Sequence, residues 1–250
     1  MNPKYIFISK ALYIPEIKTL AIGDLHLGYE FLINNADIQI PYSEFENMKD
    51  ELKKIIEDIK KRKRDIKTVV FLGDIKHFFA YKKIERDLFV ELIDEIGKTA
   101  DNPELIVIKG NHEKRMDFAY QKLLDFYVKG SFAFIHGDVM HKEILSPEIE
   151  IVVMGHLHPA IALKDSQKIK SEKYKCFLAG KYLGKEFIIL PSFGEINTGT
   201  SLNEHLSDDR CFIPPAQLLN FEVHAIGEDN QYYNFGKLGV LEKLHDNIKK

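Results

Sequence analysis

The amino-acid sequence predicts an α/β fold. Short apolar runs that end at glycine alternate with longer stretches in which apolar residues recur at three- and four-residue spacing. These are the patterns of buried strands and of amphipathic helices. With 45% hydrophobic and 29% charged residues, the 250-residue chain also has enough apolar material for a full core. We expect a single domain over 1–250, with a motif-bearing half at 1–160 and a second sheet and C-terminal helix at 161–250.

Strands and helices alternate in the first half of the chain. The first predicted strand is 20–22, and the helix that follows begins at Ser43, which forms a capping-box pair with Glu46. Gly97 is expected to end the second helix. In this half the sequence predicts strands at 20–22, 68–72, 105–108, 132–135 and 151–154, and helices at about 43–64, 84–97 and 116–127.

After Pro159 the pattern changes to strands that are separated by glycine and proline turns. Strand candidates lie at 176–179, 187–190 and 221–225, and a short polar helix is predicted at 239–250. We therefore expect the second half to add a second sheet to the same domain.

Charge and composition exclude several classes of function. Thirty-five basic against 38 acidic residues give a net charge of −3, so no global field favours nucleic acid, a membrane or an acidic partner. No apolar run approaches the ~18 residues of a membrane span. Cys176 and Cys211 show no paired spacing, as is typical of free thiols in a reducing compartment. A cytoplasmic protein with no membrane partner is expected; the oligomeric state is left open.

Polar residues of similar chemistry follow five of the apolar runs. Each segment alone is typical of a turn or of an ordinary histidine, but the same pattern occurs five times in order. Ligands of open α/β sheets gather outside the carboxyl ends of the strands, so these segments are expected to meet. They are Gly-Asp-Leu-His at 23–26, Gly-Asp at 73–74, Gly-Asn-His-Glu at 110–113, His-Gly-Asp at 136–138 and Gly-His-Leu-His at 155–158.

The side chains of these segments suit divalent metal ions. Aspartate, neutral histidine and one amide favour borderline divalent metals, whereas Mg²⁺ or Ca²⁺ alone favours oxygen ligands. Seven candidates are too many for one tetrahedral ion, so two ions that share a carboxylate are expected. An extended backbone would place both side chains of Asp-x-His and of His-x-His on one side. The candidates are Asp24, His26, Asp74, Asn111, His136, His156 and His158.

The five segments resemble the signature of the calcineurin-like metallophosphoesterases: Asp-x-His, Gly-Asp-x-x-Asp, Gly-Asn-His-Asp/Glu, an isolated His and Gly-His-x-His. The segments at 23–28 and 73–77 and Pro-Ser-Phe at 191–193 look most like the small branch related to SbcD-type nucleases and to phosphoesterases associated with DNA ligases. The resemblance implies a four-layer α-β-β-α sandwich of two mixed sheets flanked by helices, with a two-metal site at the strand ends.

Carried over position by position, the resemblance implies a role for each candidate. It implies that Asp74 bridges the two ions and that His112 is the catalytic residue facing the leaving group. Mn²⁺ is the expected cofactor, and Ni²⁺, Fe²⁺, Co²⁺ or Zn²⁺ are compatible with these ligands. The first metal would be bound by Asp24, His26 and His158, and the second by Asn111, His136 and His156.

One position departs from the family pattern. The usual second aspartate of the second motif is His77 here, and in the family that position lies outside the ligand set. Metal binding is therefore expected to survive, while the orientation of the neighbouring groups is in doubt. The alternative is that His77 only packs beside Phe78. Asp138 is a further candidate for supporting the ligands.

The resemblance implies a two-metal phosphoesterase in which a metal-activated hydroxide attacks phosphorus. The motif branch favours a phosphodiester substrate such as a nucleotide, a cyclic nucleotide or a nucleic acid. The alternatives are a phosphomonoesterase and a non-catalytic scaffold subunit of a DNA-repair complex. Lys76, Lys114 and Arg115 are candidates for holding a nucleic-acid backbone, or are ordinary solvated charges.

Overall fold

Two β-sheets pack face to face and carry helices on their outer sides. The computed structural model describes residues 3–29, 44–78, 83–113, 122–164, 171–207, 211–228 and 231–249. The strands of this part are β1 (Ile6–Ile8), β2 (Ala11–Ile14), β3 (Thr19–Ile22), β4 (Thr68–Phe71), β5 (Glu104–Ile108), β6 (Leu123–Leu124), β7 (Phe126–Lys129), β8 (Phe132–Ile135), β9 (Ile151–Met154), β10 (Pro159–Lys164), β11 (Ser171–Tyr182), β12 (Lys185–Ile189), β13 (Thr200–Ser201), β14 (Glu222–Ile226) and β15 (Tyr232–Lys237). The helices are α1 (Glu44–Lys61), α2 (Lys83–Thr99), α3 (Pro215–Leu218) and α4 (Leu238–Lys249), with a 3₁₀ turn at Lys142–Leu145.

The first sheet has the strand order β1-β2-β3-β4-β5-β6. Strands β3 to β6 are parallel, and α1 and α2 connect β3 to β4 and β4 to β5. Such crossover helices are what parallel neighbours require. The carboxyl ends of β3, β4 and β5 therefore lie together at one edge of this sheet.

The second sheet has the order β13-β10-β11-β12-β9-β8-β7, with β14 beside β11 and β15 beside β14. Strands β8, β9 and β12 are parallel, while β7, β11, β14 and β15 pair antiparallel with their neighbours. The carboxyl ends of β8 and β9 are therefore adjacent as well.

Three apolar layers separate the sheets from each other and from the helices. Successive residues of a strand point to opposite faces. In β4, Val69 and Phe71 face the helices, whereas Val70 faces the second sheet. In β8, Phe134 faces the first sheet and Ala133 faces outward. Because both faces of the central strands are buried, their sequences read as continuous apolar runs.

The helices cover the outer faces with their apolar sides. Helices α1 and α2 bury Phe45, Leu52 and Phe89 against the first sheet. Leu218 of α3 and Leu238 of α4 pack against the outer face of the second sheet. The four-layer sandwich of two mixed sheets is thus confirmed.

Most predicted elements are present, with small shifts at their ends. Helix α2 continues through Gly97 to Thr99, so that glycine does not end it. The helix predicted at 116–127 is wrong over its described part, because Leu123 and Leu124 pair with β5 and residues from Phe126 onward pair with β8. The first contact is with a strand earlier in the chain and the second closes a tight hairpin, and helical spacing alone reports neither. Residues 116–121 and Ser43 lie outside the described residues.

Two features of the architecture were not predicted. The β1–β2 hairpin extends the first sheet, and β7 to β9 belong to the second sheet although they precede residue 160. The second sheet is therefore assembled from both halves of the chain. Among the residues that the structure describes, no helix is long and apolar enough to cross a membrane.

The layer between the sheets predicts the stability effect of one core substitution. Phe177 of β11 is fully buried and stacks on Phe7 with ring centroids 4.2 Å apart. We expect Phe177→Ala to lower the free energy of unfolding by about 3–5 kcal/mol, because it removes apolar contacts and leaves a cavity. Phe235→Ala, at a side chain 37% exposed on β15, is the control and should cost less than about 1 kcal/mol. Urea denaturation of both variants measures the difference; equal losses would contradict the assignment.

Candidate metal centre

The five polar segments emerge where the carboxyl ends of strands from both sheets meet. Asp24, Asp74 and Asn111 follow β3, β4 and β5 of the first sheet within three residues. His136 and His156 follow β8 and β9 of the second sheet within two residues. The site is therefore built at the junction of the two sheets, as expected for ligands of open α/β sheets.

The backbone at the candidate ligands is left-handed. The φ angles are 48° at His26, 46° at Asp74, 64° at His156 and 45° at His158. Non-glycine residues adopt this region at a cost in conformational energy, and such residues cluster at functional sites. The expected extended geometry of Asp-x-His and His-x-His is therefore wrong, because tight turns rather than a strand end direct these side chains.

Glycines allow the ligand segments to approach one another. A Cβ atom on Gly110 would overlap the Asp74 carboxylate, and one on Gly155 would overlap the Asp24 carboxylate. On Gly73 it would lie 2.7 Å from Nδ1 of His136. The glycines that precede Asp74, Asn111 and His156 are thus required by close packing.

Four of the candidates form a first group at one side of the junction. Asp24, His26, Asp74 and His158 each offer a ligand atom within 4.8 Å of the others. Nε2 of His158 lies 3.2 Å from Oδ1 of Asp24 and 3.3 Å from Nε2 of His26. Nε2 of His26 is 3.9 Å from Oδ2 of Asp74. These atoms surround one point that a cation could occupy.

A second group lies on the other side of Asp74. Asp74, His136 and His156 also offer ligand atoms within 4.8 Å of one another. Nε2 of His136 lies 3.6 Å from Oδ2 of Asp74, 3.1 Å from Oδ1 of Asn111 and 3.0 Å from Nδ1 of His156. Asp74 is common to both groups. The structure thus brings all seven candidates together in the partition that the resemblance implied; that they bind ions stays a prediction.

The arrangement of hydrogen-bond donors and acceptors fits a pair of divalent ions. Nδ1 of His136 donates to the Leu72 carbonyl over 2.8 Å, which leaves Nε2 facing Asp74 as the nitrogen that a metal ion could take. Nδ1 of His26 is buried and has no hydrogen-bond partner in the part of the chain that the structure describes. Carboxylate, imidazole and amide acceptors converge here, as they do around borderline divalent metals.

Burial keeps two of the imidazoles neutral. Burial, followed by the nearby His158, lowers the pKa of His26 well below its ordinary value. Burial, followed by the nearby His136, lowers the pKa of His156 to about 4. A histidine binds a metal only in its neutral form, so both side chains are ready for ligation at neutral pH.

His112 lies at the rim of the site. Nε2 of its ring is 3.8 Å from Oδ2 of Asp74, and its backbone N–H donates to Oδ1 of Asp74 over 3.0 Å. Nδ1 of the ring lies 2.6 Å from the His77 carbonyl. When Nδ1 donates there, Nε2 faces the cleft, which is the geometry that a proton donor to a bound substrate needs.

The structure places the remaining candidates around this rim. The centroid of the His77 ring lies 5.6 Å from that of His26 and 4.3 Å from that of Tyr29. His77 therefore does more than pack beside Phe78, which it also contacts. Lys76 is buried, and its ammonium donates to the Phe78 carbonyl rather than facing solvent. Asp138 is half-buried. Lys114 and Arg115 lie outside the described residues.

Glu113, to which the sequence analysis gave no role, holds the backbone of two ligand segments in place. Its buried carboxylate accepts hydrogen bonds from the backbone N–H groups of Gly110, Asp74 and Lys76 at 2.8, 2.9 and 3.3 Å. Burial, followed by the charge of Asp74, raises the pKa of Glu113 to about 7. The residue ties the ends of β4 and β5 together. The position of Glu113 at the end of the Gly-Asn-His-Glu segment was the feature of the sequence that could have indicated this role.

Asn197 was also missed. It lies between β12 and β13, outside the five segments, and its Nδ2 is 3.0 Å from Nδ1 of His158. The nearby Pro-Ser-Phe at 191–193 was the only sequence signal for this part of the site.

Comparisons with known proteins bear on the fold and the family. The crystal structure of the nuclease MPE from Pseudomonas putida is similar, with a TM-score of 0.59 and 21% identity over 92% of this chain and 94% of that chain. Vps29 of Entamoeba histolytica in complex with Zn²⁺ has a TM-score of 0.36 and 15% identity over 87% of this chain and 99% of that chain, a likeness too weak to support an argument. No curated protein matches the chain.

At this identity the nuclease shows a shared fold and nothing about activity. The family is shown by sequence. The family model described as calcineurin-like phosphoesterase matches residues 17–141, which is half of the chain and includes four of the five ligand segments. The chain therefore belongs to the calcineurin-like phosphoesterase family.

Proposed function

We propose that the protein is a phosphodiesterase that uses two divalent metal ions, with Mn²⁺ as the native pair. The observation that carries the proposal is the pair of ligand groups that share Asp74. Divalent ions bound there would supply Lewis acidity to the phosphoryl oxygens and to the attacking water. The side chains of the protein perform the remaining tasks.

The carboxylates balance charge and the histidines orient the site. Asp74 faces both groups with one oxygen, since its Oδ2 lies 3.9 Å from Nε2 of His26 and 3.6 Å from Nε2 of His136, while its Oδ1 accepts a hydrogen bond from the His112 N–H. The Leu72 carbonyl holds the ring of His136, and Glu113 holds the turn that carries Asp74. A substrate phosphate therefore meets groups that are already in place, which lowers the entropic cost of reaching the transition state.

His112 is the proposed proton donor to the leaving oxygen. Its Nδ1–H donates to the His77 carbonyl, which turns Nε2 towards the cleft, so the imidazolium form of the ring would present its Nε2–H to the leaving oxygen. An alkoxide leaving group must gain a proton as the P–O bond breaks, and a positioned acid typically contributes ~10²–10⁴ in rate. The carbonyl that orients this ring belongs to the backbone of His77, so it does not depend on which side chain stands at that position.

The charges around the site favour a diester over a monoester. A phosphomonoester carries nearly two negative charges at neutral pH, whereas a phosphodiester carries one. His26, His77 and Asp74 lie next to His112, and none of these three side chains is a permanent cation. Together with the motif branch, this supports a nucleotide or nucleic-acid phosphodiester as substrate.

Metal and substrate can be tested in one assay. Protein freed of metal with a chelator should bind two Mn²⁺ per chain and then hydrolyse bis(p-nitrophenyl) phosphate faster than p-nitrophenyl phosphate. Faster hydrolysis of the monoester would replace the diesterase proposal by a phosphatase. Failure to bind Mn²⁺, with no hydrolysis of either ester in any divalent metal, would leave only the scaffold alternative.

Metal binding should also stabilise the fold. A ligand that binds only the native state adds about 2.7 kcal/mol per site at 100 times its Kd. We expect Mn²⁺ to raise the Tm of the wild-type protein and Asp74→Asn to lose most of this shift, because Asp74 belongs to both groups. Asp101→Asn, at a side chain 80% exposed, is the matched control and should keep the wild-type shift. A full shift in Asp74→Asn would contradict the shared-ligand role.

Substitution of His112 tests the proton donor. His112→Asn should lower kcat by ~10²–10⁴ on a diester with an alkoxide leaving group, which needs a proton. The loss should be much smaller on bis(p-nitrophenyl) phosphate, because its acidic phenol leaves without protonation. Mn²⁺ stoichiometry should not change. His141→Asn, at a half-buried ring beside Phe126, is the control. Equal losses on both substrates would refute the role.

A further inference from the structure

The loop at 191–199, between β12 and β13, is anchored by a lysine beneath it. Nζ of Lys175 on β11 donates to the Ser192 carbonyl over 2.8 Å, to Oγ of Ser192 over 3.1 Å and to the Gly194 carbonyl. Burial, followed by the charge of Lys10, lowers the pKa of Lys175 to about 7. Placing an ammonium there costs free energy, which the three acceptors offset.

The same loop is tied to other parts of the fold. The backbone N–H of Phe193 donates to the Asp24 carbonyl over 2.8 Å. Glu44 of α1 accepts hydrogen bonds from the backbone of Glu195 and Ile196. Lys10 of the β1–β2 turn pairs with Glu195. Both sheets and a helix therefore hold the loop.

Asn197 is the side chain that this loop directs at the metal centre. Oγ of Ser192 donates to the Asn197 carbonyl over 2.9 Å, and the Gly199 N–H donates to Oδ1 of Asn197 over 3.1 Å. With Oδ1 engaged in this way, Nδ2 lies 3.0 Å from Nδ1 of His158. The side-chain amide is thus oriented by its own loop before it meets the histidine.

We propose that Asn197 is a positioning residue that orients the imidazole of His158 for metal binding, and that Lys175 holds the loop from which it acts. The inference rests on the proposed two-metal function. His158 is 17% exposed, and its Nε2 faces Asp24 and His26. A contact on the opposite nitrogen fixes the ring, and loss of such a contact typically costs ~10–100-fold in metal affinity.

The amide also bears on which nitrogen carries the proton. With Nδ2 of Asn197 donating to Nδ1 of His158, the proton of a neutral ring lies on Nε2, 3.2 Å from Oδ1 of Asp24. An ion at Nε2 needs the other tautomer, with the proton on Nδ1 and an acceptor opposite it. Asn197 supplies that acceptor when its amide turns over, which exchanges the bond from the Gly199 N–H to Oδ1 for a bond from Nδ1–H of His158. An aspartate has two carboxylate oxygens and would accept both bonds at once.

Three variants test this inference through Mn²⁺ binding, measured by calorimetry and by electron paramagnetic resonance. Asn197→Leu should raise the Kd of one of the two Mn²⁺ sites ~10–100-fold. When less than two Mn²⁺ per chain is added, the paramagnetic resonance signal of a spin-coupled Mn²⁺ pair should then be absent. Asn197→Asp should bind both ions at least as tightly as the wild type. Lys175→Met should change binding in the same direction as Asn197→Leu. Asn220→Leu, at an exposed asparagine, is the matched control.

The outcomes separate the inference from the proposed function. Excess Mn²⁺ should restore the kcat of Asn197→Leu, because the residue acts only through metal affinity. Two Mn²⁺ bound by Asn197→Leu with wild-type affinity and spectrum would overturn the inference and leave the two-metal function standing. A wild-type protein that binds no Mn²⁺ would overturn both.

Discussion

The close approach of strand ends around Asp74 is the constraint on which the rest of the site depends. The Glu113 carboxylate draws the backbone N–H groups of Asp74 and Gly110 together, and Gly110 leaves the space that the Asp74 side chain fills. The sandwich then brings β8 and β9 to the same edge, so His136 reaches Asp74 from the second sheet. A single carboxylate thereby stands between two groups of ligands.

Without bound ions, the arrangement of the ligand side chains raises the free energy of the folded protein. Buried carboxylates, left-handed turns at His26 and Asp74, and an imidazole nitrogen without a partner among the described residues each raise the free energy of the folded state. The apolar layers between the sheets and under the helices stabilise the fold enough to offset this cost. Bound divalent ions, as we propose, would offset the carboxylate charge directly.

The net charge of the chain says little about the charge at the candidate metal centre. A net charge of −3 gives no global field for a polyanion. Two divalent ions would add four positive charges, all of them at the junction of the sheets. The attraction for a phosphate would then come from the site itself rather than from a basic surface, and it would be confined to the cleft beside His112.

The sequence by itself determined the fold class, the central strands and the seven candidate ligands. Strands buried on both faces read as unbroken apolar runs, and a glycine follows each ligand-carrying strand within two residues, so strands such as β4 and β9 could be located from local pattern. The family motifs then indicated the sandwich. Strands β1 and β6 were missed because they have only three and two residues, too few for a strand pattern, and β6 lay inside a segment interpreted as a helix.

Only the tertiary structure decided how these residues meet. The turn geometry at His26 and His158 depends on backbone hydrogen bonds with other segments, such as that from the His26 N–H to the Asp74 carbonyl. The support from Glu113, the orientation of His112 by His77 and the contact of Asn197 with His158 all join residues that are distant along the chain or follow no periodic pattern. Sequence spacing reports which face of an element is buried, whereas the partner on the other side is chosen by packing.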